Sequence, residues 1–207
     1  MVSIAHVLDA GPAPGEDPLV DRVAAAALDQ FAEFGIRRST IDDIARRAGV
    51  SKMTVFRRFE NKQGLIAVVI AREIRRGMDE LDHAWQRQDT LEEALTQGFE
   101  FVAHFVRGHA LFDRLLRSEP DLLLPLITVD GAPALELYRS LIAQRLRAEV
   151  DTGRVTTTDI DRAAEVIARL AQSLLLTPQG MITLDDPDSI AAFVRLALLP
   201  MLRAPSP

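Results

Sequence analysis

Residues 40–62, TIDDIARRAGVSKMTVFRRFENK, constrain the fold most, because they predict two short helices joined by a tight turn. In the first half of the segment, apolar residues recur at helical spacing, at Ile41, Ile44, Ala45 and Ala48. Gly49 follows where helices commonly end in a left-handed residue, and Ser51 is placed to cap the next helix. The segment therefore predicts a helix-turn-helix.

The second of these helices is predicted to have one apolar edge and one mainly cationic face. Val55 and Phe59 lie four residues apart and predict the buried edge. The other side chains are predicted to face outward, and they are Lys52, Met53, Thr54, Arg57 and Arg58. A helix of this kind suits the major groove of DNA. The alternative interpretation is an ordinary helical hairpin with a solvated basic face.

The distribution of charge favours a DNA-binding surface at this end of the chain. The whole chain has a net charge of −6, yet residues 37–62 hold eight basic and three acidic residues. From residue 66 onward, 15 arginines are outnumbered by 21 carboxylates. The two lysines of the chain, Lys52 and Lys62, both lie in the basic segment. A basic segment on an acidic protein is the pattern expected of nucleic-acid binding confined to one region.

Composition narrows the remaining classes of protein. With 207 residues, of which 48% are hydrophobic, the chain can bury a substantial core. The sequence has no cysteine, which excludes disulfides and thiol catalysis, and no apolar run approaches the roughly 18–20 residues that span a bilayer. Residues 1–17 lack the pattern of a secretion signal and, with the stretch GPAPG, predict a flexible arm. We therefore expect a cytoplasmic protein.

Helical periodicity covers nearly all of the chain after this arm and predicts an all-α fold. The first helix is predicted to begin at Pro18 and to end before Gly35. Asn61 is predicted to cap a helix of roughly 25 residues that carries Trp85 near its end. Further helices are predicted at residues 90–107, 109–118, 120–128, 132–150, 159–176 and 187–202, whereas residues 181–184 are predicted to form a loop.

The spaced pattern of residues 18–65 resembles the DNA-binding domain of the TetR family of transcriptional regulators. The matching residues are Phe31, Gly35, Ser39, Thr40, Ile44, Ala45, Ala48, Gly49, Val50, Ser51, Thr54, Phe59, Lys62 and Leu65. The resemblance implies a three-helix DNA-binding domain at residues 18–64 and a larger helical domain at residues 65–207 that binds an effector and dimerises, about nine helices in all. The larger domain carries no specific motif, so its role follows from the resemblance alone.

Three positions refine what the resemblance implies for phosphate contacts. Phe56 stands where the family commonly has a tyrosine whose hydroxyl often reaches a DNA phosphate, and phenylalanine cannot make that hydrogen bond. Arg58 stands where histidine is common, and arginine would contact phosphate with a permanent charge. Lys62 resembles the family's phosphate-contacting lysine. One phosphate contact is thus expected to be lost and another gained.

The predicted DNA contacts divide into base readers and phosphate contacts. Arg57 and Lys52 are the leading base readers, because both can donate to guanine O6 and N7. Thr54 is expected at a phosphate or a thymine methyl group. Thr40 and Ser51 are expected either to contact phosphates or only to cap their helices. The full predicted set is Thr40, Ser51, Lys52, Met53, Thr54, Phe56, Arg57, Arg58 and Lys62.

An effector cavity is predicted between the helices of residues 90–128 and the lower part of the long helix. Its lining is expected to be mostly apolar with a few polar contacts, supplied by Trp85, Phe99, His104, Phe105, His109, Phe112, Leu116, Tyr138, Gln172 and Leu175. Any one of these residues is more often plain core than pocket lining. The mixture favours a largely apolar effector.

The remaining motifs do not favour an enzyme. His104 and His109 each have a carboxylate four residues away, but no metal-ligand spacing accompanies them, so neither a metal nor a cofactor is predicted. No catalytic arrangement is recognisable. The helices of residues 159–176 and 187–202 are apolar over more than one face, which predicts a homodimer interface. The alternative for these helices is burial of both faces within one chain.

Together these features predict a homodimeric, ligand-responsive transcriptional regulator, and a repressor in particular. It is expected to bind a pseudo-palindromic operator, to be released by a largely apolar small molecule, and to bind no membrane. The alternative is an all-helical interaction protein whose basic segment has only nonspecific affinity for DNA. The two interpretations are distinguished by comparing affinity for different DNA sequences, because only the regulator should bind some sequences much more tightly than others.

Overall fold

The computed structural model describes residues 15–157 and 159–203, apart from the side chain of Leu126, and this part of the chain forms helices and turns without a β-strand. The first helices are α1 (Pro18–Phe34), α2 (Ile41–Ala48), α3 (Lys52–Phe59) and α4 (Lys62–Gln86). Next come α5 (Leu91–Gly108), α6 (Ala110–Ser118), α7 (Pro120–Ile127), α8 (Ala132–Asp151) and α9 (Ile160–Leu176). The last segment contains α10 (Pro187–Phe193), a π-helix (Val194–Leu198) and α11 (Leu199–Leu202). The predicted all-α fold is confirmed, while most of the predicted N-terminal arm lies outside the described residues.

The caps predicted for α2 and α3 are present. Thr40 Oγ1 accepts a hydrogen bond from the Asp43 N–H at 3.2 Å, and Ser51 Oγ accepts one from the Thr54 N–H at 3.1 Å. Gly49 ends α2 in the left-handed region, with φ 64° and ψ 37°, where a residue without Cβ meets no steric penalty. Each helix has only eight residues and would be unstable alone, so its caps and its packing define it.

Two residues, Glu60 and Asn61, separate α3 from α4. Glu60 has a positive φ of 60°, and Asn61 Oδ1 caps α4 by accepting a hydrogen bond from the Gly64 N–H at 2.9 Å. A Cβ on Gly64 would lie 2.3 Å from the carbonyl oxygen of Phe59, so a larger residue does not fit. The direction of α3 is therefore tied to the first turn of α4.

The predicted helix boundaries agree with the structure to within about two residues, with one exception at the end of the chain. The sequence predicted one regular helix over residues 187–202, but residues 194–198 are π-helical, and the Leu199 N–H bonds to the Val194 carbonyl, five residues earlier. Pro200 explains the difference. It has no N–H to donate, and its ring would meet the Leu196 carbonyl in a regular α-helix.

The described residues form two compact units. The first comprises the residues up to Met78 together with Arg107–Pro133, and the second comprises Asp79–Val106 together with the residues from Ala134 onward. The boundary predicted from sequence, after residue 64, would instead place residues 65–78 and 107–133 with the second domain. Whether function divides at residue 64 stays a prediction, whereas the packing groups α6 and α7 with the N-terminal helices.

The core of the first unit combines the helix-turn-helix with α6. Leu111 and Leu115 of α6 lie in the same apolar cluster as Phe31, Ile44 and Val55, and each of these five side chains is at most 2% exposed. Full burial of a leucine contributes roughly 1.5–3 kcal/mol to stability. The three N-terminal helices therefore depend on a helix that lies far along the chain.

The second unit has its own apolar core, built by α5 and α8–α11. Phe99 and Phe193 pack edge to face within it, with ring centroids 5.4 Å apart. At its margin, the Trp85 indole N–H donates to the buried carboxylate of Glu149 at 3.1 Å, and Arg154 pairs with the same carboxylate at 2.6 Å. A buried charge is tolerated here because a hydrogen bond and an ion pair stabilise it.

Candidate nucleic-acid interface

The outer face of α3 is the candidate interface. Val55 and Phe59 point into the core, with 0% and 5% of their surface exposed, so the opposite side of this short helix faces solvent. There Met53 is 74% exposed and Phe56 is 37% exposed. Burial of these two apolar side chains in an interface with another molecule would be favourable.

Arg57 is the least constrained cation on this face. It is exposed, and it makes no hydrogen bond or ion pair with any residue that the structure describes. A guanidinium on the outer side of such a helix presents the fork of donors that matches guanine O6 and N7. The geometry is therefore compatible with the base-reading role predicted for Arg57, which remains to be tested.

Lys52, the other predicted base reader, is held by its neighbours. Its ammonium forms an ion pair with Asp42 of α2 at 2.6 Å and lies 6.0 Å from the centre of the Phe56 ring. The ammonium would have to leave Asp42 before it could donate to a base. The sequence did not predict this pair, although exposed ion pairs contribute only about 0–1 kcal/mol and exchange readily.

The hydroxyls predicted near phosphates are occupied in capping. Thr40 Oγ1 donates to Asp43 Oδ2 at 2.5 Å while it caps α2, and this hydrogen bond, with the Arg46 guanidinium next, holds the pKa of Asp43 below its usual value. Ser51 Oγ lies 2.8 Å from Thr54 Oγ1. Capping uses a hydroxyl as an acceptor and does not by itself prevent its O–H from donating to a phosphate, but the Thr40 O–H would first have to leave Asp43 Oδ2. Both predicted roles of Thr40 and Ser51 therefore remain open.

Arg58 and Lys62 lie at the border of the face. Arg58 pairs with Asp17, the cap of α1, at 3.3 Å. The Lys62 ammonium lies 3.5 Å from the Arg37 carbonyl oxygen, and its partial burial lowers its pKa, an effect that the charge of Glu119 opposes. Both cations can turn toward phosphate, but each starts from an intramolecular contact that the sequence did not predict.

Several cations of the basic segment are held in ion pairs within the protein, which its composition alone does not indicate. Besides Arg58, three more of its arginines pair with carboxylates, and the pairs are Arg37–Asp121, Arg46–Asp43 and Arg47–Glu33. The Arg46–Asp43 pair follows from a spacing of three residues on one helix. The other two pairs join distant segments, and no local signal in the sequence could have identified them.

Sequence reasoning also missed Glu119, which lies between α6 and α7 yet contacts the turn between α1 and α2. Its carboxylate is buried and accepts hydrogen bonds from the Ile36 N–H at 2.9 Å and the Arg37 N–H at 3.1 Å. Only its position directly before Pro120, where a helix can begin, marked it in the sequence. It carries no motif for this role.

The predicted effector contacts are distributed over both units. Seven belong to the second unit, and they are Trp85, Phe99, His104, Phe105, Tyr138, Gln172 and Leu175. Within it, Phe99 is buried, His104 is exposed, and burial raises the pKa of Tyr138. A shallow depression of about 430 Å³ on this unit is lined by Glu92, Arg195, Leu199, Pro200 and Arg203, and none of these was predicted to bind the effector.

The other three predicted effector contacts, His109, Phe112 and Leu116, belong to the first unit. His109 Nε2 lies 2.7 Å from Glu73 Oε2 of α4, and the His109 ring packs at 4.6 Å from the Phe112 ring. The buried histidine thus has a structural partner. Effector binding by any of the ten residues stays a prediction.

Among the described residues, no group of histidine and carboxylate side chains is arranged to hold a metal ion. No helix in the described part of the chain combines the length and the apolar character needed to cross a membrane.

Comparisons with known proteins agree on one family. Residues 23–69 match the family described as "Bacterial regulatory proteins, tetR family", and residues 90–198 match "Bacterial Tetracyclin repressor, C-terminal domain". The regulator AlkX of Mycobacterium tuberculosis is 33% identical over 76% of this chain and 72% of its own. An uncharacterised helix-turn-helix regulator of the same species is 28% identical over 86% of this chain and 90% of its own.

Solved structures show the same fold. The TetR-family repressor AlkX of a Dietzia strain, implicated in the biodegradation of n-alkanes, superposes with a TM-score of 0.62 and 25% identity, covering 90% of this chain and 96% of that one. The fatty acid degradation regulator FadR of Bacillus halodurans shares the fold with a TM-score of 0.57 at 18% identity, over 90% of this chain and 96% of its own.

Proposed function

Because this chain belongs to the TetR family of bacterial transcriptional regulators, we propose that it is a homodimeric repressor that an apolar small molecule releases from a pseudo-palindromic operator. The observation that carries the proposal is the outer face of α3, where Arg57 has no partner among the described residues and Met53 is 74% exposed. Caps and core fix the helix behind these side chains, so they meet the major groove without prior rearrangement.

Dimerisation is proposed on exposed apolar residues in the helices that the sequence singled out. Val166 of α9 is 37% exposed and Leu196 of the π-helix is 81% exposed. A two-fold dimer buries such residues against their own copies. It would also present two copies of α3 to half-sites about one helical turn of DNA apart, roughly 34 Å.

The effector is proposed to be largely apolar and to bind in the second unit. Two observations support this proposal. The predicted contacts around Trp85 and Phe99 are mainly aromatic and aliphatic. The similar repressor AlkX of Dietzia is implicated in the biodegradation of n-alkanes. An n-alkane such as dodecane is therefore the first probe to try. We expect it to shift the fluorescence of Trp85, the one tryptophan of the sequence, and to weaken operator binding.

The experiment that tests DNA recognition is selection of bound sequences from a random duplex pool, followed by salt titrations on a selected and a scrambled duplex. A specific regulator should prefer the selected duplex by about 10³-fold or more at physiological salt. An interaction protein with only nonspecific affinity should enrich no sequence and should bind both duplexes equally, with the same salt dependence. That second outcome would refute the proposed function.

A further inference from the structure

Glu119 is a buried carboxylate that the proposed DNA contacts do not include. Only 6% of the residue is exposed, and both carboxylate oxygens are engaged, Oε2 with the Ile36 N–H at 2.9 Å and Oε1 with the Arg37 N–H at 3.1 Å. A buried charge persists only where several donors satisfy it. Here two donors come from the turn that follows α1, so Glu119 fixes the backbone of that turn.

The turn is shaped to receive this carboxylate. A Cβ on Gly35 would lie 2.7 Å from Glu119 Oε1, so the approach requires glycine at this position, where φ is also positive at 84°. From the other side, the Ser39 hydroxyl has a single hydrogen to donate, and its Oγ lies 2.6 Å from the Gly35 carbonyl oxygen and 3.2 Å from the Gln30 carbonyl oxygen. The backbone of residues 35–39 is thus held from two directions.

This turn leads directly to two predicted phosphate contacts. Thr40, the next residue, is the cap of α2, so the turn sets where the first N–H groups of α2 point. The Lys62 ammonium lies 3.5 Å from the Arg37 carbonyl, and the Glu119 charge acts on that ammonium. A shift of the turn would therefore move both Thr40 and Lys62.

We propose that Glu119 is a positioning residue for DNA binding, which holds residues 35–39 so that Thr40 and Lys62 meet DNA phosphates. The inference rests on the proposed function, and it extends the DNA-binding machinery to a residue far outside the helix-turn-helix. Phosphate contacts carry no sequence information. Loss of Glu119 should therefore weaken binding to every duplex by a similar factor and leave the sequence preference unchanged.

The direction in which Glu119→Gln changes DNA affinity distinguishes a positioning role from a simple effect of charge. Removing a carboxylate from a DNA-binding protein reduces electrostatic repulsion, so a pure charge effect of Glu119→Gln would strengthen binding. Positioning predicts weaker binding, because one oxygen acceptor of the carboxylate is replaced by an N–H₂ donor that faces a backbone N–H. The two explanations therefore predict opposite outcomes for one isosteric substitution.

The test compares the full-length wild-type chain with Glu119→Gln, Glu119→Asp and the control Asp113→Asn. Asp113 lies on α6, the helix that Glu119 directly follows, and pairs with Arg117 of the same helix at 2.6 Å, so its removal changes charge but not the turn. Dissociation constants are measured on the selected and scrambled duplexes at salt concentrations between about 50 and 200 mM. We expect both Glu119 variants to bind about tenfold more weakly on both duplexes, with a salt slope smaller by about one, and the control to bind equally or more tightly.

Each remaining outcome overturns the inference. Binding by Glu119→Gln that equals or exceeds wild type would assign Glu119 no positioning role. Weakening confined to the selected duplex would place its effect on base reading. If both Glu119 variants lose their helical circular dichroism, the residue is needed for folding and not for positioning. Failure of the proposed function is distinct, because it appears as a missing sequence preference in the wild-type protein itself.

Discussion

The residues proposed to contact DNA are exposed on the helix-turn-helix, whereas residues proposed to bind the effector in the second unit lie in an apolar core. In α3, the residues proposed to act are the exposed ones, Met53 and Arg57, while the buried Val55 only holds the helix. In the second unit, the residues proposed to act, such as Phe99, lie among core residues of the same chemistry. An exposed functional residue contrasts with its surroundings, whereas a ligand-lining residue in an apolar core does not. Function was therefore easier to identify in the first region.

The largest effect is expected at the proposed dimer interface. There, exposed apolar residues of the second unit are proposed to be buried by another molecule, as Met53 of α3 is. Leu196→Glu and Val166→Glu place a charge in a contact that needs apolar side chains, and we expect monomers at micromolar concentration by light scattering. Operator affinity should fall by about 100-fold or more, since a monomer binds one half-site without the gain from a linked second one. Met181→Glu, at a fully exposed loop residue, is the control and should leave the dimer intact.

Ala171→Glu, also on α9, is a less clean probe, because Ala171 packs against the core of its own chain. A dimer that survives both Leu196→Glu and Val166→Glu would mean that these helices do not form the interface. In that case, exposure would identify the functional residues of α3 but not those of the second unit.

The next effect is on stability, and it tests whether α6 belongs with the DNA-binding helices. Leu115→Ala removes a side chain that is 2% exposed in the cluster shared with α1–α3, and should lower the free energy of unfolding by about 2–5 kcal/mol. Hydrogen exchange should show faster opening of α2 and α3. The neighbouring exposed site Arg117→Ala serves as the control, expected to change stability by about 0.5 kcal/mol or less. Unchanged exchange in α2 and α3 would separate α6 from their core.

Arg57→Ala is expected to cost about 1–3 kcal/mol on the selected operator and to relax the preference at particular base pairs. Lys62→Ala should instead weaken binding to all duplexes alike and reduce the salt slope by about one. Binding constants on operators with single base changes distinguish the two patterns. Equal weakening on every duplex by Arg57→Ala would show that Arg57 contacts phosphate.

The smallest effect concerns Met53, and here we expect its exposed thioether chain to contact a thymine methyl group. Replacing thymines of the operator one at a time by deoxyuridine removes only that methyl, and at one position should cost about 0.8 kcal/mol, the transfer free energy of one such group. In Met53→Ala the same replacement should cost nothing measurable. A loss that persists in Met53→Ala would assign the methyl contact to another residue, with Thr54 the next to test.

The sequence predicted local features of the fold well and long-range ones poorly. The caps at Thr40, Ser51 and Asn61 follow from short-range hydrogen bonds, and their helices lie where predicted. The contacts of Glu119 with the turn after α1 depend on residues 82 and 83 positions away, and no periodicity encodes them. The pairing of Lys52 with Asp42 was missed for a related reason, since it joins the outer faces of two different helices.

The grouping of Leu111, Leu115 and Glu119 with the helix-turn-helix has a consequence for how such regulators can recombine. The DNA-binding unit is discontinuous, with one piece ending at Met78 and the other spanning Arg107–Pro133. A crossover after residue 64, in evolution or in the design of chimeric sensors, would join the residues up to 64 of one parent to residues 65–78 and 107–133 of the other. Exchange should preserve DNA binding only where both pieces are inherited together, so new operator specificities are more accessible by point substitution on α3.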